Sequence, residues 1–206
     1  EMQKRIVAGY NLSCVGDERA YRHVMSRYGD NLSDRALQSA LIGKENVKTY
    51  SYLERGSDER QYCAPGINLP ICGFCRSKYG EYPEYHTSGD NFDVVTAAGL
   101  DGSLEVLTNI IQAFETGLYP NVSVLGEPQL SKRGLYPTLS HKSQQSAVRT
   151  RMNILAYADG TNTLFDICSI ISVPLDIVLS EVKLMREHEL ISFSDAPYSD
   201  VRYKGS

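Results

Sequence analysis

The sequence predicts an α/β fold, the C-terminal part of a three-layer domain, followed by a small α+β winged helix. Three observations carry this reading. Short apolar runs with strand character alternate with helical stripes up to about residue 117. Between Tyr119 and Ser146 the periodicity fades under Pro120, Gly126, Pro128, Gly134 and Pro137. The rest of the chain then carries a compact pattern of three helical segments and a strand. The domains are therefore expected at 1–139 and 140–206.

Ile6 to Val15 alternates loosely and ends at Gly16-Asp17, a strand running into a turn. Asp34 to Ile42 places Ala36, Leu37, Ala40 and Leu41 on one helical face, with Gly43 as a stop. Val47 to Leu53 and Ile67 to Cys75 read as strands, and a Tyr-rich polar loop fills Arg76 to Asn91. A helix follows over Val94 to Phe114, interrupted or shifted near Gly99 and Gly102, with Leu104, Leu107, Ile110, Ile111 and Phe114 on one stripe. Three strands are fewer than an open α/β sheet holds, so further strands are expected upstream. The charged start, Glu1-Met2-Gln3-Lys4-Arg5, reads as an internal cut.

In the tail, Val148 to Ala158 is a helix, Thr163 caps a second over Leu164 to Ile171, and Pro174 opens a third over Leu175 to His188. Leu190 to Phe193 is a strand. Leu155, Leu164, Ile167, Ile171, Val178, Val182, Met185 and Ile191 are spaced to form the core of this unit.

Composition narrows function. The chain has 206 residues, 42% apolar and 22% charged, and a net charge of −4. That balance gives no general affinity for polyanions, and no apolar run is long enough to span a bilayer. Cysteines at 14, 63, 72, 75 and 168 are odd in number and scattered, which favours a reducing cytoplasm. Cys72-Gly73-Phe74-Cys75 has the spacing of a metal or redox pair but stands alone, so buried free thiols in a core strand are the better reading. In the tail, Arg149, Arg151, Lys183 and Arg186 face Asp159, Asp166, Asp176, Glu181, Glu187 and Glu189. Acids on the third helix repel phosphates, so a protein contact is expected there and no nucleic acid.

Two polar segments carry the chemistry: Arg55-Gly56-Ser57-Asp58-Glu59-Arg60-Gln61-Tyr62-Cys63-Ala64-Pro65-Gly66 ahead of a strand, and Pro83-Glu84-Tyr85-His86-Thr87-Ser88-Gly89-Asp90-Asn91 ahead of the long helix. By themselves they suggest a site and no more, since a lone loop His is most often a surface residue. Together they resemble the closing motifs of the zinc-dependent aminopeptidase superfamily, which includes glutaminyl cyclases and glutamate carboxypeptidases. They are most similar to the aminopeptidase-like proteins linked to polysaccharide biosynthesis that end in a winged helix.

That resemblance implies an aminopeptidase-like (phosphorylase/hydrolase-like) fold and a hydrolase of an amide or peptide bond. The substrate would be a small peptide, an amino acid amide or an amino sugar. It implies His86 as a zinc ligand in a loop facing a cleft, and Asp58, Glu59, Arg60 and Tyr62 as substrate-binding residues, with Arg60 able to meet a carboxylate. Asp17 is a candidate second metal ligand in an awkward register, since Cys14 stands where that Asp belongs. The family's other ligands and its general base lie in an upstream half. That half is expected from a longer precursor or a partner chain, and a homo-oligomer is expected as well. His23, His141 and His188 fit no such motif and read as surface or structural. The alternative is a non-catalytic binding or scaffold protein that keeps the fold without a complete metal site.

Overall fold

The structure, a computed structural model, describes residues 2–135 and 142–194. Two compact units divide between Thr108 and Asn109. That point precedes the expected 139/140 boundary, whose own residues lie outside the described ones, as does His141.

The first unit is built on a four-stranded mixed sheet: β1 (Gly9–Leu12), β2 (Tyr21–Val24), β3 (Val47–Tyr50) and β4 (Ile71–Cys75), in the order β1-β4-β2-β3. β1 runs parallel to β4 and β2 parallel to β3, while β2 and β4 are antiparallel. β2 was not expected, because Tyr-Arg-His-Val carries two polar residues where a core strand needs apolar ones. His23 is nonetheless fully buried, its ring 2.9 Å from the Asp34 carboxylate. Helix α1 (Leu32–Ala40) supplies Asp34; it begins at Asn31, whose side chain accepts from the Ser33 and Asp34 N–H groups. Alternation sends Cys72 and Phe74 to the face that α1 covers. Cys75 goes to the opposite face, with Val24, Tyr50 and Tyr79. Both thiols are buried and free. Strand geometry keeps them on opposite sides of the sheet, so they form no common pair.

A short helix α2 (Glu59–Tyr62) precedes β4, and helix α3 (Ala97–Thr116) follows the Tyr-rich loop. α3 has no interruption. Gly99 and Gly102 sit inside it because neighbouring groups approach too closely for a side chain. A Cβ on Gly99 would lie 1.9 Å from the Gly16 carbonyl oxygen, and one on Gly102 would lie 2.4 Å from an Arg76 guanidinium nitrogen.

The second unit is a winged helix. β5 (Tyr119–Val122) pairs antiparallel with β6 (Ile191–Ser194), and α4 (Lys142–Tyr157), α5 (Leu164–Ile171) and α6 (Leu175–Glu187) pack on one another. β5 lies in the segment expected to be a linker, where Pro120 masks the strand. Thr163 and Asp166 close a reciprocal capping box at α5. The core holds Leu155, Leu164, Ile167, Val178, Val182, Met185 and Ile191 as expected, together with Ile154, Phe165, Leu175 and Leu190; Ile171 is only half-buried. His188 caps the C-terminal end of α6. Among the described residues no helix is long and apolar enough to cross a membrane.

Candidate functional site

The loops leaving β1 and β4 lie side by side because those strands are parallel, and polar side chains fasten them there. Asp17 is buried. It accepts from the Ser77 N–H at 2.7 Å, the Ser77 hydroxyl at 2.9 Å and the Arg19 N–H at 2.9 Å. Arg76, also buried, donates to the Ala20 carbonyl at 2.7 Å and the Gly99 carbonyl at 3.1 Å. Its guanidinium lies 3.9 Å from the Tyr21 ring centroid. These contacts tie the N-terminal part of α3 to the strand ends, the position where α/β sheets carry their sites.

Glu59 is the hub of the next layer. It is wholly buried, and Oε1 accepts from the N–H groups of Gly56 at 2.8 Å and Ser57 at 3.0 Å and from the Tyr79 hydroxyl at 2.7 Å. Oε2 accepts from Asn11 Nδ2 at 2.6 Å. Burial alone would raise its pKa, but the Ser57 N–H, the Tyr79 hydroxyl and the Gly56 N–H together hold it below the usual carboxylate range. Burial and then the Glu59 carboxylate push the Tyr79 hydroxyl up. The flanking residues turn outward. Asp58 and Arg60 are exposed, Tyr62 is 41% exposed, and Arg60 Nε donates to the Ser57 carbonyl at 3.1 Å.

The second motif meets the first through tyrosines. Tyr85 and Cys14 pack on the cluster of Val24, Tyr50, Cys75 and Tyr79, and Tyr79 in turn holds Glu59. His86 lies in the turn that follows Tyr85, exposed and in the left-handed region at φ 59°, with its ring stacked on Tyr85 at 4.0 Å between centroids. Arg19 grips Glu84 in a bidentate pair, both contacts 2.8 Å. His86 is thus displayed on a fixed turn.

No hydrogen bond or ion pair among the described residues joins His86 to Asp58, Glu59 or Asp17. The cluster of three ligand-type side chains that the described residues contain lies elsewhere, at His23, Asp34 and Cys72. His86 is a single available imidazole, and Asp17 is committed to Ser77. These residues do not by themselves fit a zinc centre, which needs three or four donors around one point. Sequence reasoning missed Asn11, Tyr79 and Arg76, whose importance lies in contacts with residues 48, 20 and 56 positions away respectively. A local motif gives no signal of such partners.

Comparison with known proteins places this geometry in context. The family described as Domain of unknown function (DUF4910) matches residues 1–117, and the winged helix-turn-helix family matches residues 117–193. A "Putative polysaccharide biosynthesis protein with aminopeptidase-like domain" of Clostridium acetobutylicum is 35% identical over 168 residues, covering 80% of this chain and 38% of the relative. The crystal structure of a "putative peptidase" from the same organism matches with a TM-score of 0.75 at 28% identity, over 93% of this chain and 43% of that one. The chain spans about two fifths of the length of these relatives.

Proposed function

The chain belongs to the family described as Domain of unknown function (DUF4910), and from that membership and the geometry above we propose that it forms the C-terminal part of an aminopeptidase-like hydrolase of amide or peptide bonds. In this reading its sheet is the C-terminal portion of a three-layer domain. The upstream part, from a longer chain or a partner, brings the remaining metal ligands and the general base. The observation that carries the reading is the His86 turn, held on Tyr85 and Tyr79 against the Glu59 loop while its imidazole stays exposed.

The residues divide by role. His86 is the ligand this chain offers to zinc, and zinc supplies Lewis-acid activation when bound. Asp58, Arg60 and Tyr62 face the substrate, with Arg60 able to pair with its carboxylate. Glu59 positions their loop from within. Asp17 holds the β1 and β4 loops together rather than reaching a metal. The upstream part would cover the exposed stripe of α3 in the first unit, where Leu100 and Leu104 are 47% and 63% exposed while Val106 is buried on the other side. A second copy of the chain is the other occupant such a stripe suits. Five free thiols suit a reducing cytoplasm.

The test is hydrolysis of aminoacyl 4-nitroanilides by the chain alone and by the chain combined with the upstream part of the relative's domain, both with zinc. Turnover is expected only in the combination, and His86→Ala should lower it at least about 100-fold. A zinc-replete combination without turnover on these substrates or on N-acetylated amino sugars would favour the non-catalytic scaffold. The commitment of Asp17 and Glu59 to internal partners supports that second reading.

A further inference from the structure

We propose that His23, Asp34 and Cys72 form a buried structural site for a divalent cation of the zinc class, with the Tyr10 hydroxyl beside it as an additional oxygen donor. The strands bring these residues together. Cys72 lies opposite Tyr10 in the β1–β4 register, and His23 lies opposite Phe74, two residues along the same face of β4. Asp34 enters from the first turn of α1. One potential ligand atom from each of His23, Asp34 and Cys72 lies within 4.8 Å of the others, and all three residues are fully buried.

The simpler reading is a buried His–Asp hydrogen bond. Asp34 accepts from the Ser26 N–H at 2.9 Å and from the Ser26 hydroxyl, besides its 2.9 Å contact with His23 Nε2. That reading leaves too much unsatisfied. The Tyr10 hydroxyl is buried without a hydrogen-bond partner among the described residues, and so is His23 Nδ1, on the ring edge away from the Asp34 contact. A buried hydroxyl without a partner beside a buried carboxylate is unusual, because it costs desolvation with nothing in return.

A divalent cation balances the charge of the cluster. One thiolate and one carboxylate neutralise it, so the burial of Asp34 no longer leaves an uncompensated charge. Sulfur, imidazole nitrogen and carboxylate oxygen form a donor set that suits zinc, with Tyr10 or a water completing four-coordination. Zinc bonds of about 2.0–2.1 Å at a tetrahedral angle set nitrogen and oxygen roughly 3.3 Å apart. With the ion on Nε2, the His23–Asp34 contact needs to open by only a few tenths of an ångström to admit it, and Nδ1 faces away from the ion. Cys75 takes no part, because it faces the other side of the sheet.

Cobalt(II) added to the chelator-treated full chain reads this site directly. One equivalent should bind and give the near-ultraviolet thiolate-to-cobalt charge-transfer absorption together with tetrahedral d–d bands. Cys72→Ser should abolish the charge-transfer band and weaken binding at least about 100-fold. Cys14→Ser and His86→Ala should keep it. The proposed hydrolase site contains no thiolate, so failure of one site does not mimic failure of the other. If Cys72→Ser does not fold, His23→Gln should still shift the d–d bands of the bound cobalt. Absence of the charge-transfer band in the unmodified chain, or its survival in Cys72→Ser, overturns the proposal.

Discussion

The Tyr79 hydroxyl and the Glu59 carboxylate meet at 2.7 Å inside the first unit, and that contact ties the two polar motifs of the sequence together. Gly56, Ser57 and Asn11 complete the set of donors around the carboxylate. Glu59→Ala would remove the acceptor that four donors share, of which only the Gly56 N–H has a second partner, the Tyr79 hydroxyl at 3.0 Å, and a loss of roughly 3 kcal/mol is expected in urea denaturation. Glu59→Gln tests the charge. The folded pKa is depressed, so the stability it contributes is complete above the unfolded carboxyl value of roughly 4.3 and is lost as pH falls through the lower folded value. Between pH 5 and pH 3 the urea midpoint of the unmodified chain should fall more steeply than that of Glu59→Gln. Parallel curves would show that the carboxylate is not held as described.

Gly99→Ala should destabilise although it improves the intrinsic propensity of α3. Alanine gains about 1 kcal/mol over glycine in a helix interior. Against this, the new methyl would lie 1.9 Å from the Gly16 carbonyl oxygen, which is backbone and cannot swing away. Overpacking of this kind costs up to roughly 3 kcal/mol, so a net loss of about 2 kcal/mol is expected in thermal or urea melts. Asp101→Ala, at an exposed position on the same helix, is the matched control and should be neutral within about 0.5 kcal/mol.

His86 should separate stability from function. Its backbone sits at φ 59°, which costs a non-glycine residue roughly 1 kcal/mol, and its side chain is exposed apart from the Tyr85 stack. His86→Gly removes that strain and loses a ring contact of similar size, so the denaturation midpoint should change by less than about 1 kcal/mol. Turnover in the completed hydrolase should nevertheless disappear. A large fall in stability would make His86 a structural residue and remove the basis for its assignment.

The parts of this molecule legible in the sequence are those that depend on near neighbours. Thr163 and Asp166 cap each other across one turn, so the start of α5 is fixed locally. β1, β3 and β4 lie in runs of strand-forming residues and are legible for the same reason. β2 is not, because a strand carrying His23 needs Asp34 from α1 to make burial tolerable, and no local pattern records that partner. Glu59 shows the same limit at the candidate site. Its polar surroundings in sequence suggest a pocket-facing acid, but Asn11 and Tyr79 turn it inward. Asp58 and Arg60 are exposed on either side of it, and the commitment of Asp17 to Ser77 was invisible in the sequence.

The winged helix should not retain duplex DNA, and the structure strengthens the charge argument by removing one cation from play. Arg151 is buried, with Nε 2.7 Å from Glu181 and a second nitrogen donating to the Leu135 carbonyl at 2.5 Å. That leaves Lys132, Arg133, Arg149, Lys183 and Arg186 exposed among the described residues of this unit, against exposed Glu115, Glu127, Asp159, Asp176, Glu187 and Glu189. Each phosphate contact needs a cation free to displace a counterion, and α6 offers acids at Asp176 and Glu187 beside its two basic residues. Filter binding by the full chain at about 50 mM salt should therefore show no retention of duplex DNA. Asp176→Lys combined with Glu187→Lys should create weak retention that disappears on raising the salt, which would identify charge rather than shape as the missing ingredient. Arg151→Ala should instead cost about 3 kcal/mol of stability without altering DNA binding, since it strands Glu181 in a largely buried position. Salt-sensitive retention by the unmodified chain, abolished by Lys183→Ala with Arg186→Ala, would reverse the conclusion and make α6 a reading helix.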